Sequence, residues 1–259
     1  MNVKPTVALL ITVFIINALV AQNRTTSEQL IASTFIGSDS YDDDYGPSMF
    51  IDNQGFVYLC GFTTSETFPC LGGFDPTYNG GKDIFIAKFT SDLSILLGST
   101  FIGGTGDEYE ATMAFDTAKE FLYIAGYTTS ADFPTTPGAF DETNNGGIDA
   151  FVLKLDLNLE SVVAATFFGG SGNEGQQWPK LDIVVTPNNN VCIAGLTRSS
   201  DLPVTEGVSH NCSYAGGSDA FVAVFNNNLT HLLASTYLGG SGNEWRMSDR
   251  KSTRLNSSH

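Results

Sequence analysis

Positive charge is what this sequence has least of. Against 28 Asp and Glu it sets 12 Lys and Arg, a formal net charge of −16 at neutral pH, with no basic cluster outside the last few positions. A phosphate backbone is bound by clustered Lys and Arg, so nucleic acid is excluded as a partner. Histidine is nearly absent: apart from the last residue there are only His210 and His231, in no metal-ligand spacing. Neither a Gly-x-Ser-x-Gly elbow nor a paired-cysteine zinc motif occurs, which leaves triads and zinc sites without support. Charged residues make up only 15% of the chain, against roughly 25% in an average soluble domain. Hydrophobic residues nevertheless reach 42%, enough to build a core and to exclude wholesale disorder. A length of 259 residues leaves room for one large domain or two small ones.

Long apolar runs are missing too, with one exception. After Lys4, residues 7–20 are apolar except for Thr12 and Asn17, and beyond Ala21 the chain turns polar. This predicts a secretory signal peptide over residues 1–21 and a secreted or cell-surface product. As a helix, residues 7–20 would reach only about 21 Å, short of the roughly 30 Å of a hydrocarbon core. A membrane anchor is therefore disfavoured, and no transmembrane span is expected after cleavage. At the other end, residues 249–259 break off the acidic, glycine-rich composition abruptly. They look like a translated sequencing adapter, so they are set aside as read-through and the native frame is expected to continue differently.

What the sequence has in quantity is glycine, 27 in all, and it recurs in register. Ser33-Thr34-Phe35-Ile36-Gly37 returns as Ser99-Thr100-Phe101-Ile102-Gly103, as Ala165-Thr166-Phe167-Phe168-Gly169 and as Ser235-Thr236-Tyr237-Leu238-Gly239, the glycines 66, 66 and 70 residues apart. Gly61, Gly126 and Gly195 each precede Pro69, Pro134 and Pro203 at nearly constant distance. Gly80-Gly81, Gly146-Gly147 and Gly216-Gly217 each precede an aspartate, at Asp83, Asp149 and Asp219. Internal repeats decide an architecture before any residue-level argument. Within the second unit, residues 112–115, 121–127, 150–155 and 162–168 are apolar and of strand length, with short polar turns joining the first pair and the second pair. The third segment is apolar on both faces and needs cover on both sides. Four antiparallel strands per unit, stacked face to face, predict an all-β β-propeller over residues 30–248: three units and the start of a fourth. Propellers close with about four to eight blades, so this ring is expected to be incomplete.

The units resemble the SBBP family of β-propeller repeats of secreted bacterial proteins. The resemblance rests on Ser99 to Glu108, on Ala125-Gly126-Tyr127-Thr128-Thr129-Ser130-Ala131-Asp132-Phe133-Pro134 and on Gly147-Ile148-Asp149-Ala150-Phe151-Val152. The first unit departs from the pattern at Ser38 to Asp44 and at Cys60 and Cys70. The resemblance implies a non-catalytic repeat in an exported protein and supplies no catalytic residue set.

Candidate chemistry is sparse. Asp39, Asp42, Asp43 and Asp44 carry the hard oxygens that Ca²⁺ prefers, though a solvated acidic loop is the commoner outcome; no other cofactor is expected. Gly103-Gly104-Thr105-Gly106-Asp107-Glu108 and its counterparts at 169–174 and 239–244 partly match a calcium-binding nonapeptide, but with Glu for Asp and without tandem repetition, which favours a structural turn. Asp83, Asp149 and Asp219 are expected to fix turns through side-chain bonds to the backbone. Cys60 with Cys70 and Cys192 with Cys212 are the disulfide candidates, buried thiols being the alternative. Asn23, Asn211 and Asn228 lie in short sequons. Trp178 and His210 differ between units and so are better site candidates than any recurring residue.

These observations lead to a non-catalytic extracellular module for interaction or scaffolding at a bacterial surface, its partner a surface protein or carbohydrate. The motive is loop length: residues 71–79 and 135–145 are long and polar for blade connections. Two alternatives stand beside it, a polysaccharide hydrolase or lyase with Glu108 and Glu174 as its paired carboxylates, and a purely structural spacer.

Overall fold

The computed structural model describes residues 32–38, 48–175, 181–207 and 213–244, together with the backbone of 9–13. Among these residues all regular structure is β and no helix occurs. Strands β1 (Leu9–Val13) and β2 (Ala32–Ile36) pair with each other. The remaining twelve form three antiparallel meanders of four strands each. The first holds β3 (Ser48–Ile51), β4 (Val57–Thr63), β5 (Asp83–Phe89) and β6 (Leu96–Ile102). The second holds β7 (Glu108–Phe115), β8 (Phe121–Thr128), β9 (Asp149–Asp156) and β10 (Val162–Phe168). The third holds β11 (Asp182–Val185), β12 (Val191–Thr197), β13 (Asp219–Phe225) and β14 (Leu232–Leu238). The sequence pattern places the second unit's strands well. β9 starts one residue early, at Asp149, and β7 earlier still, because a bulge at Glu110 (φ 52°) carries the pairing from Thr112 back to Tyr109 and Glu108.

The strands are buried on both faces because the sheets lie against one another. Tyr58, Phe62, Ile84 and Ile102 of the first sheet share one core with Ile124, Phe151, Leu153 and Phe167 of the second. Tyr123, Tyr127, Val152 and Phe168 of the second share another with Ile193, Phe221, Phe225 and Tyr237 of the third. The recurring glycine of the second strand has its reason here. Gly126 pairs directly with Phe151 across the ladder, and a side-chain carbon on that glycine would lie 2.8 Å from the ring. Gly61 faces Phe85 and Gly195 faces Phe221 in the same register. The glycine is the floor on which the neighbouring ring lies.

Strand β2 is paired with β1 alone, in a two-stranded sheet. Ile36 packs on the outer face of the first sheet beside Val57, Leu59 and Phe85, as Ile102 packs on the second and Phe168 on the third. Phe35, the counterpart of buried Phe101 and Phe167, is 64% exposed. The three sheets form an open stack.

The long connections that suggested binding loops are spent on the fold. Residues 71–75 return to the free edge of β6: Ser99 N donates to Leu71 O (3.0 Å) and Phe101 N to Asp75 O (3.0 Å). Residues 136–141 do the same at β10, through Thr136 N to Ala165 O (3.1 Å) and Phe167 N to Asp141 O (3.0 Å). Each loop then reaches the following sheet, with Phe74 N donating to Leu159 O and Phe140 N to Leu229 O, both 2.8 Å. An edge that would otherwise template pairing with another chain is thereby covered. The receiving hairpins hold Leu159 (φ 67°) and Leu229 (φ 57°) in the left-handed region with their side chains fully buried. That backbone costs leucine about 1–2 kcal/mol, less than the roughly 1.5–3 kcal/mol that its burial contributes.

Candidate functional site

The recurring acidic residues meet at the junctions between sheets. Residues 103–108 leave β6 of the first sheet and enter β7 of the second, lying between the loop end before β5 and the loop start after β8. On one side Gly81 N donates to Gly106 O (3.0 Å) and Glu108 N to Lys82 O (2.8 Å). On the other, Gly106 N donates to Ser130 Oγ (2.9 Å), Asp107 N to Thr129 Oγ1 (2.7 Å) and Thr105 N to Asp132 Oδ1 (2.9 Å). Residues 169–174 repeat the arrangement one sheet further on. There Glu174 N donates to Ile148 O (2.7 Å), Gly172 N to Ser199 Oγ (2.9 Å) and Ser171 N to Asp201 Oδ1 (2.9 Å). At 239–244 the same half-junction forms, with Glu244 N donating to Ser218 O (2.9 Å). The glycine-rich stretch is thus a turn that ties neighbouring sheets together, as expected from the sequence, and its glycines admit that close approach of backbones.

At the centre of each junction two carboxyl groups face each other. Glu108 Oε1 accepts from Thr128 Oγ1 (2.5 Å) and Ser130 Oγ (2.6 Å), and Oε2 accepts from Gly104 N at 3.3 Å. Asp83 Oδ2 accepts from Asn79 N (2.8 Å), the backbone bond expected of it, while Oδ1 is buried without a partner. In the second junction Glu174 accepts from Thr197 Oγ1 (2.8 Å), Ser199 Oγ (2.5 Å) and Gly170 N (3.2 Å). Asp149 Oδ2 accepts from Asn145 N (2.8 Å), and Oδ1 is again without a partner. All four carboxyl groups have 0% exposure. Burial raises the Glu108 carboxyl to about 7 and the Asp83 carboxyl to about 6. It raises Asp149 and Glu174 in the same direction. By contrast Asp132 and Asp201, at the exposed rim, are held below the ordinary range by backbone N–H groups of Thr105 and Ser171.

These positions answer what can be done chemically with Glu108 and Glu174. They occupy identical turns in successive sheets, so they are equivalents of each other, and neither has a surface on which a substrate could lie. The hydroxyl partners Thr128, Ser130, Thr197 and Ser199 were not singled out by sequence reasoning. The signal is nonetheless present, as a Thr-x-Ser-x-Asp register shared by 128–132 and 197–201.

The remaining candidates scatter. Asp39, Asp42, Asp43 and Asp44, the calcium candidates, lie outside the described residues, as do Trp178, His210 and Cys212. Among the described residues no group of three or more His, Cys, Asp or Glu could hold a metal ion. Cys60 and Cys70 form no disulfide. Cys60 faces the core between the first and second sheets, while Cys70 packs against the opposite face of the first, which keeps the two thiols apart. Burial raises both the Cys70 and the Cys192 thiols above their ordinary value. His231 is exposed, its Nδ1 2.8 Å from Thr230 Oγ1. A pocket lies between β2 and the first sheet, lined by Phe35, Ile36, Phe89 and Leu96 together with the polar Thr34 and Ser94. No family model matches the chain, and no curated protein is similar to it.

Proposed function

We propose that the chain is a non-catalytic repeat module of the β-propeller type, exported by its apolar leader and serving as an interaction scaffold at a bacterial surface. The propeller reading rests on three four-stranded meanders stacked face to face and on β2, whose contacts repeat those of β6 and β10. Continued stacking of such units is what a blade ring requires. The SBBP resemblance of the repeats fits the same architecture.

One observation carries the functional reading. Asp83 with Glu108 and Asp149 with Glu174 are consumed in inter-sheet junctions, in the same hydrogen bonds both times. A reaction centre needs two carboxyl groups with different surroundings and access to substrate, and the recurring ones have neither. What differs from unit to unit lies at exposed tips, such as Pro76 against Glu142, on a rigid frame. The test is a binding screen of the secreted chain against bacterial surface polysaccharides and surface proteins. It is repeated with Glu142→Ala, which leaves the junctions intact. Binding that the substitution abolishes supports the scaffold reading. A chain that binds nothing, or hydrolyses a polysaccharide, refutes it.

A further inference from the structure

We propose that the aspartate and glutamate of each junction hold one proton between them, Asp83 with Glu108 and Asp149 with Glu174, and that this shared proton is the lock between neighbouring sheets. The geometry assigns the proton its place. Glu108 Oε1 already accepts two hydroxyl bonds, and Asp83 Oδ2 already accepts from the backbone. What remains is Asp83 Oδ1, buried and unpartnered, and Glu108 Oε2 with one long bond. Both oxygens crowd the position that a side-chain carbon on Gly103 would take, Asp83 Oδ1 at 2.7 Å from it and Glu108 Oε2 nearer still. In the second junction Asp149 Oδ1 and Glu174 Oε2 (2.5 Å) crowd the same position on Gly169. Two anionic oxygens so placed in a dry site repel each other. A proton on the glutamate, donated to Oδ1 of the aspartate, removes the repulsion and satisfies the orphaned acceptor in one step.

Nothing else at the junctions supplies the missing positive charge. The groups acting on Asp83 and Glu108 are hydroxyls, backbone N–H groups and other carboxylates, Asp75 and Asp107 among them. The phenols of Tyr78 and Tyr109 lie near enough to feel these acids. The Lys82 ammonium next door sits over the rings of Phe62 and Tyr109. At the second junction the neighbours are Asp141, with Tyr127 and Tyr237 feeling Glu174, and Arg198 enters through its backbone N–H to Asn173 O. Among the described residues none of these neighbouring carboxylates, and no histidine or cysteine, joins either pair in a group that could hold a metal ion. A divalent cation, which takes six to eight oxygens in the case of Ca²⁺, would lack its shell.

The sign follows from the direction of the shift. The folded state holds this proton more tightly than the unfolded chain does. Its contribution is therefore complete below the ordinary carboxyl range and is lost as the pH rises through about 7. The whole chain should melt highest in mild acid and lose about 5 °C or more between pH 5 and pH 8.5. The variant E108Q/E174Q keeps a donor where the acid proton was and should melt at the same temperature across that range. Infrared spectra of the wild-type chain at pH 6.5 should show a protonated carboxylic acid band that the variant lacks. Absence of that band, or an equal loss of melting temperature in both proteins, overturns the proposal. Where the glutamine variant fails to fold, D83N/D149N takes its place in the melts and the wild-type spectrum decides.

Discussion

Gly169→Ala tests the junctions most directly. A methyl carbon there would stand 2.5 Å from Glu174 Oε2 and closer still to Asp149 Cγ and Oδ1. None of these can yield cheaply. Asp149 is pinned by Asn145 N, and Glu174 by Thr197, Ser199 and Gly170 N. Overpacking of a rigid site costs about 1–3 kcal/mol, and displacing either carboxyl leaves buried hydroxyls or N–H groups unpaired at about 1–3 kcal/mol more. The expected loss is about 3 kcal/mol or above, a fall in melting temperature of about 6–12 °C for a chain of this size. Gly138→Ala is the control. Gly138 has φ +81° and nothing within 4 Å of its added carbon, so that substitution costs only the left-handed backbone of a non-glycine residue, about 1–2 kcal/mol. Thermal and urea unfolding followed by far-ultraviolet circular dichroism reads both variants. If Gly169→Ala loses no more stability than Gly138→Ala, the carboxyl pair is not held as described and the explanation of the recurring glycine fails.

Other consequences follow from the loops, the hairpins and the thiols. Thr166 Oγ1 accepts from Asp141 N (2.9 Å) and donates to Asp141 O (3.1 Å), so Thr166→Val should cost about 1–2 kcal/mol and speed proteolysis within residues 137–145; cleavage at the wild-type rate would show that the loop does not depend on this clip. Leu159→Gly trades relief of a left-handed leucine, about 1–2 kcal/mol, for a cavity worth about 2–5 kcal/mol, and a net loss of about 2 kcal/mol in urea melts is expected; a gain in stability would mean that backbone strain outweighs burial. Native alkylation should reach half-buried Cys70 before fully buried Cys60, with reducing agent leaving the melting temperature unchanged, and a Cys60–Cys70 bridge in peptide maps would contradict their placement on opposite faces of one sheet.

The strands were legible because their signal is local. Residues 150–155 mark β9 as a short, almost wholly apolar run, and a turn residue at each hairpin does the rest. The glycines announced the repeat, but their reasons lay elsewhere in the chain. Gly126 is small because of a phenylalanine 25 positions on, and Gly103 because of Asp83 and Glu108. The pairing of Asp83 with Glu108 was out of reach for the same reason. Each residue recurs in its own motif, the two motifs bound different strands, and only stacking brings them together. The polarity of loops 71–79 and 135–145 showed their exposed tips and not the backbone bonds that tie their stems to β6 and β10. Thr100 and Thr166, which seize those loops, sit inside a strand motif and look like ordinary β-branched residues until the hydrogen bonds to Asp75 and Asp141 are seen.

The junctions also explain how similar sheets keep one alignment. Apolar faces built from one repeat remain complementary after a slip of two residues, because side-chain direction has period two along a strand. Burial alone would therefore hold the sheets without fixing their offset. A slip of two residues would part Glu108 from the hydroxyls of Thr128 and Ser130, and Gly106 O from Gly81 N. Each of those bonds has a defined length and direction, and each lost partner stays buried. Burying two acids per junction costs desolvation, which appears as their raised proton affinity. In return the apolar stack acquires a single register, set at every boundary by the same two carboxyl groups.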